Sequence, residues 1–278
     1  MTAAKKGVAH LKRWMTGLAA LAVLIVCVIA GGTVFLLLAV LGAGACLWEY
    51  FRIVQPAGKR LSSQALVLCG YAAGLGLILA AHAGRPETIP AVLGLDVVVC
   101  GALSLQRFSS DRTVLEEIAR QIQGICYIPL PIALLVLLRS APDGTTWVFF
   151  LCAVIFAGDT AALYAGTLWG RHTLCPAISP GKTVEGALAG LAANLVVGWA
   201  AAAIFLPAVG WLPAVAFAAA AGLAGQVGDL FESELKRVSN IKDSGGILPG
   251  HGGVLDRIDA LLFAAPVAFA FKIYILSS

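Results

Sequence analysis

The chain has 278 residues, of which 60% are hydrophobic and only 12% charged. Soluble domains are about 25% charged, so this composition, with a mean hydropathy of +0.91, excludes a water-soluble protein and defines an integral membrane one. The net charge of +4 is small; its placement carries more information than its sum, and no nucleic-acid partner is expected.

A spanning helix needs about 20 mostly apolar residues. Segments 14–31, 33–51, 64–82, 89–106, 124–139, 146–168, 186–206, 211–231 and 258–276 meet or approach that length. They predict an all-α, polytopic membrane helical bundle of about nine transmembrane helices. The first apolar run continues almost to Phe51, too long for a signal-peptide core of about 7–15 residues, and the Gly31-Gly32 pair splits it into two helices. Pro129 and Pro131 make the fifth span the least regular. Segment 107–123 differs: Ser110 or Asp111 can cap a helix, and Val114, Leu115, Ile118 and Ile122 recur at helical spacing. It is read as an interfacial amphipathic helix. The chain is therefore divided into an N-terminal transmembrane region, 1–123, that includes this helix, and a C-terminal transmembrane catalytic region, 124–278.

Orientation follows from the basic residues. Lys5, Lys6, Lys12 and Arg13 place the N-terminus in the cytoplasm. Arg52, Lys59, Arg60, Arg107, Arg112, Arg120, Arg171, Lys182, Lys236, Arg237 and Lys242 then fall on the same side, while the opposite loops hold few cations. A multi-pass protein of a bacterial inner membrane, with its active site facing the cytoplasm, is the expectation. The seven cysteines form no C-x-x-C pair and lie mostly in apolar runs, so they read as small core residues. Glycine pairs such as Gly70/Gly74, Gly166/Gly170 and Gly186/Gly190 allow close helix crossings.

Polar side chains concentrate in two stretches. Asp159 sits inside the sixth span, where a carboxyl is costly and functional by default. It is followed by I-S-P-G-K-T-V-E-G over 178–186. A P-loop would need glycine at Pro176 and a preceding strand, so that reading is rejected; Ser179, Lys182 and Thr183 remain candidate phosphate or headgroup contacts, and Glu185 a cap. The second stretch starts at the end of the eighth span. On a helix, Asp229, Glu232, Ser233, Lys236 and Arg237 share one face. The turn 244–253, S-G-G-I-L-P-G-H-G-G, brings Gly245, Gly252 and Gly253, whose backbone amides can approach an anion without a Cβ in the way, together with His251. Lys242 precedes it and Arg257 follows it. Asp256 and Asp259, one helical turn apart, are candidate metal ligands with Asp229; hard oxygen ligands plus phosphate oxygens suit Mg²⁺, with a second cation allowed. Helix capping accounts for one of these acids but not both. Glu49, His82, Glu87 and Asp96 are isolated and receive no role.

The run S-x-L-K-R, K-D-x-G, L-P-x-H-G-G-V-x-D-R-I-D between Ser233 and Asp259 resembles the signature of the phosphatidate cytidylyltransferases, or CDP-diglyceride synthases. G-D-L-x-E-S before it and S-P-G-K-T-V-E-G upstream are similar to the same family. The resemblance is sharp over about 158–190 and 228–259. One departure is D-T-A-A-L-Y-A-G-T, where the family pattern reads D-[ST]-G-A-Y and then G-[RK]: Leu163 holds the tyrosine position, and Thr167 that of the basic residue. The resemblance implies that CTP and phosphatidate give CDP-diacylglycerol and pyrophosphate at a bilayer; a homodimer is allowed by the sequence and not specified by it. Asp229, Lys236, Arg237, Asp256 and Arg257 are then the catalytic candidates, Asp229, Asp256 and Asp259 the metal ligands, and Ser179, Lys182, Thr183, Ser233, Lys242, Gly245, His251, Gly252 and Gly253 the substrate contacts. Two alternatives stand beside it: a CTP-dependent lipid or polyprenol kinase, and an ion-coupled transporter lined by Asp159 and Asp229.

Overall fold

The computed structural model describes the backbone of residues 3–54, 64–109, 112–241, 243–248, 250 and 252–275, and side chains from Met15 onward. The expected caps Ser110 and Asp111 and the basic residues Lys59 and Arg60 lie outside that description, as do the side chains of Lys5, Lys6, Lys12 and Arg13. The helices are α1 (Ala3–Ala30), α2 (Gly32–Ile53), α3 (Gln64–His82), α4 (Ile89–Arg107), α5 (Val114–Tyr127), α6 (Pro129–Ser140), α7 (Gly144–Trp169), α8 (Val184–Phe205), α9 (Trp211–Val238) and α10 (Leu255–Ala270). Among the described residues, eight helical stretches are long and apolar enough to cross a membrane, and Met15–Ala30 of α1 is a shorter apolar one. The break between α1 and α2 falls at the glycine pair, where Gly31 and Gly32 take φ of 63° and 48°, values that side chains with a Cβ rarely adopt.

The chain packs as two units: Met1–Val136 with Ser239–Arg257, and Leu137–Val238 with Ile258–Ser278. This is a division by packing. It does not coincide with the cut at 123/124 expected from the sequence.

In the first unit, Leu66 of α3, Cys100 of α4 and Ile118 of α5 form a buried cluster, flanked by Cys69, Leu103 and Ile122. The amphipathic segment is thus a helix, α5, with its apolar stripe turned onto α2, α3 and α4. Its buried face is not purely apolar. Gln121 Nε2 donates to both carboxyl oxygens of Asp96, at 2.9 and 3.1 Å, and Arg107 faces Glu117 at 3.7 Å. Asp96, isolated in the sequence, has its partner 25 residues away on the next helix. The fifth span is a helix pair: α5 ends at Tyr127, and the prolines at 129 and 131 open α6, where a missing N–H leaves no helical bond unmade.

In the second unit, α7 lies on α8 and α8 on α9. The crossings use glycine as expected: a Cβ at Gly186 would lie 2.8 Å from Ala162 O, and one at Gly190 2.9 Å from Gly158 O. Residues 170–183 hold the one described element that the all-helical reading did not anticipate, an antiparallel hairpin of β1 (Thr173–Cys175) and β2 (Ser179–Thr183).

Replacing Gln121 by Leu strips the Asp96 carboxyl of a buried donor, which costs about 1–3 kcal/mol. We expect a lower unfolding midpoint in detergent for Gln121→Leu. The double variant Asp96→Leu/Gln121→Leu should recover most of that loss, because it removes both polar partners together.

Candidate functional site

The signature residues fall into two hydrogen-bonded clusters, one in each unit. The cluster of the first unit is built around Glu49. This side chain sits near the C-terminal end of α2 and is 0% exposed. Its Oε1 accepts the Val254 N–H at 3.0 Å, and its Oε2 accepts the Leu255 N–H at 2.8 Å and the Ser244 hydroxyl at 3.1 Å. Asp256 ties the same turn from the other end. Its carboxyl accepts the Gly253 N–H at 2.8 Å and the Ser244 N–H at 3.1 Å. Leu248 N–H donates to Gly252 O at 3.0 Å and closes the turn on itself. Ser239 adds another tether, its hydroxyl donating to the carbonyl of Ile53 at the end of α2.

The glycines fit this packing. Gly252 has φ of 83°, and a Cβ there would lie 2.8 Å from the Asp256 carboxyl. Side chains at Gly245 or Gly253 would overlap the Glu49 carboxyl. Lys242 and His251 lie outside the described residues, and Arg257 is an exposed residue in the first turn of α10.

The cluster of the second unit joins two stretches far apart in sequence. Lys182 on β2 reaches Asp229 on α9, Nζ to Oδ2, at 2.6 Å. Arg237, two turns further along α9, donates from Nε to Ile178 O at 2.9 Å and pins the hairpin to the helix. The other end of the hairpin is held by Glu185. Its Oε2 accepts the Arg171 and His172 N–H groups at 3.1 and 3.3 Å, and its Oε1 lies 2.6 Å from His172 Nδ1. Thr183 caps α8 by accepting the Gly186 N–H at 3.1 Å. Gly181, Lys182 and Thr183 therefore belong to a strand leading into a helix cap.

Because α9 is helical through Val238, the expected face forms. Glu232, 1% exposed, pairs with Lys236 one turn on, and Ser233 is half-buried beside them. Asp159 on α7 and Asp259 on α10 lie close enough to Asp229 for each to feel its charge, with Lys182 and Lys236 opposing the repulsion. Asp259 is 8% exposed and accepts the Ala260 N–H at 2.8 Å. Among the described residues, no three His, Cys, Asp or Glu side chains converge closely enough to hold a metal ion by themselves. Leu163 and Tyr164, at the departure from the family pattern, are both exposed on α7, and the Thr167 hydroxyl bonds back to Leu163 O at 2.6 Å.

Sequence reasoning missed Glu49, whose partners lie about two hundred residues downstream. A signal was present: an acid in an apolar span is as expensive at Glu49 as at Asp159 or Asp229.

The fold is that of a polytopic helical membrane protein with acids and cations set into its helices. The chain belongs to the cytidylyltransferase family, whose model matches residues 11–275. It is 34% identical over 246 residues, 87% of this chain and 85% of the relative, to a phosphatidate cytidylyltransferase of Brucella suis biovar 1. It is 31% identical over 256 residues, 92% of this chain and 96% of the relative, to the protein of that name in Staphylococcus aureus (strain COL). The match to the Bacillus subtilis (strain 168) phosphatidate cytidylyltransferase is 40% identical over 126 residues, 45% of this chain and 47% of the relative.

Gly228 lets α10 approach α9 beside Asp229: a Cβ there would lie 2.6 Å from Asp259 O and 2.9 Å from Phe263 Cβ. Gly228→Ala forces the two helices apart. Overpacking of this kind costs about 1–3 kcal/mol, read as a lower unfolding midpoint in detergent. Gly42→Ala, with nothing within 4 Å of the added carbon, should leave the midpoint unchanged or raised.

Proposed function

We propose that this chain is a membrane nucleotidyltransferase that joins CTP to phosphatidate, giving CDP-diacylglycerol and pyrophosphate. The observation that carries it is the family match across residues 11–275, with relatives of that activity aligned over most of their length. A phosphate oxygen of phosphatidate attacks the α-phosphorus of CTP, a new P–O–P bond forms, and the bond to the β-phosphate breaks to release pyrophosphate. A phosphate monoester has its second pKa near about 6, so the attacking group is largely dianionic at neutral pH and needs no general base. The barrier is the meeting of two polyanions, and catalysis is positioning plus charge neutralisation.

Roles follow from residue chemistry. The 244–253 turn, with Gly245, Gly252 and His251, cradles phosphates, while Gly253, an expected contact, gives its N–H to Asp256 and shapes the turn. Lys182, Lys236, Arg237, Lys242 and Arg257 offset charge on the triphosphate and the departing pyrophosphate. Ser179, Thr183 and Ser233 contact substrate. Asp229 and Asp259 suit Mg²⁺: they are neighbouring hard-oxygen groups, and this ion takes one or two carboxylates and completes its shell with water and phosphate oxygens. When bound, Mg²⁺ would supply charge stabilisation at the reacting phosphates. Asp256 was an expected third ligand; its bonds to the Ser244 and Gly253 amides favour a role in shaping the turn. The 1–123 region then supports, and 124–278 carries, the chemistry. The excess of basic residues in the loops on one side of the spans supports a cytoplasmic site in a bacterial inner membrane.

The test uses purified protein in lipid nanodiscs with phosphatidate, Mg²⁺ and CTP labelled at either the α- or the γ-phosphate. The α-label should move to lipid and the γ-label to pyrophosphate, with neither moving when phosphatidate is omitted or EDTA is added. Transfer of the γ-label to a lipid alcohol would overturn the reading in favour of a kinase. Asp229→Asn should lower kcat by about a hundredfold or more, and a variant with full Mg²⁺-dependent activity would refute that assignment.

A further inference from the structure

We infer that Glu49 is a positioning residue for the nucleotide, holding the 244–253 turn in its phosphate-binding shape from a helix that lies outside the family signature. This rests on reading that turn as the phosphate cradle. Four backbone amides fix the turn at its ends: Ser244 and Gly253 bond to Asp256, and Val254 and Leu255 bond to Glu49. Glu49 is the distant partner, on α2, and its two oxygens are both used by backbone donors.

That geometry demands an acid. Both acceptor positions face an N–H, so a glutamine there would set its own NH₂ against a backbone donor in either orientation of the amide. An aspartate is one methylene too short to reach both. The flanking glycines make the same demand from the other side, because Gly245 and Gly253 press directly on the Glu49 carboxyl and leave no room for a bulkier arrangement. The second tether, from Ser239 to the carbonyl of Ile53 one turn along α2, anchors the approach to the turn on the same helix. Helix α2 therefore acts as a strut, and Glu49 is its point of grip. Bare backbone amides bind an anion well only when their directions are fixed before the anion arrives. Loss of the grip should accordingly weaken CTP more than phosphatidate.

The experiment is amide hydrogen exchange over residues 244–255 with and without CTP and Mg²⁺, alongside CTP binding and steady-state kinetics, in nanodiscs. In the unaltered chain CTP should slow exchange across the turn. Glu49→Gln should speed exchange at 254–255 without nucleotide, and raise the Kd and KM for CTP by about tenfold or more. The KM for phosphatidate should stay within about twofold. Ser244→Ala removes only the hydroxyl contact and should show a weaker effect in the same direction, about threefold; it decides the matter if Glu49→Gln does not fold. A protected turn with unchanged CTP affinity in the folded variants overturns the role given to Glu49 alone. A turn that CTP does not protect in the unaltered chain overturns the reading of the cradle, and the role of Glu49 with it. Equal losses for CTP and phosphatidate would make Glu49 a general structural residue and also overturn the inference.

Discussion

A single buried carboxyl, Glu49, is the constraint on which the first unit's signature turn depends. The turn is rich in glycine and poor in side chains that pack, so it has little means of holding its own shape. Buried amides left without acceptors cost about 1–3 kcal/mol each. Glu49 and Asp256 supply those acceptors. The turn's conformation is thereby referred to α2, a helix near the other end of the sequence, and the packing of α2 against α3 and α5 becomes part of what the turn requires.

The second unit solves a related problem by charge. Asp159, Asp229 and Asp259, on α7, α9 and α10, repel one another. Lys182 answers part of that repulsion at 2.6 Å, and it does so from a hairpin held at its two ends by Glu185 and Arg237. The amine paired with Asp229 thus comes from outside the helices that carry the acids. An amine paired with a carboxylate in this way lowers the electrostatic cost that the acids would otherwise carry.

The helices were legible in the sequence because a membrane imposes length and hydropathy with little room for exceptions. The Gly31-Gly32 break, the helical face from Asp229 to Arg237 and the glycine crossings at Gly186 and Gly190 all follow from local pattern. The hairpin at 173–183 was not legible: its strands are three and five residues long, include Pro180 and Gly181, and are fixed by contacts with α8 and α9. Glu49 and Asp96 were set aside as isolated because their partners are remote in sequence, 195 to 206 residues away for Glu49 and 25 for Asp96. Asp256 drew a metal-ligand reading from its spacing and from the family resemblance; its bonds to Ser244 and Gly253 were not legible because they depend on how the turn folds back.

The most direct test of this account is an experimental structure of the protein with CTP and Mg²⁺ bound in a lipid bilayer. The account predicts triphosphate oxygens within hydrogen-bonding distance of backbone amides between Gly245 and Gly252, with Glu49 still bonded to Val254 and Leu255. A triphosphate seated away from that turn, or a Glu49 carboxyl released from it when nucleotide binds, would contradict the account.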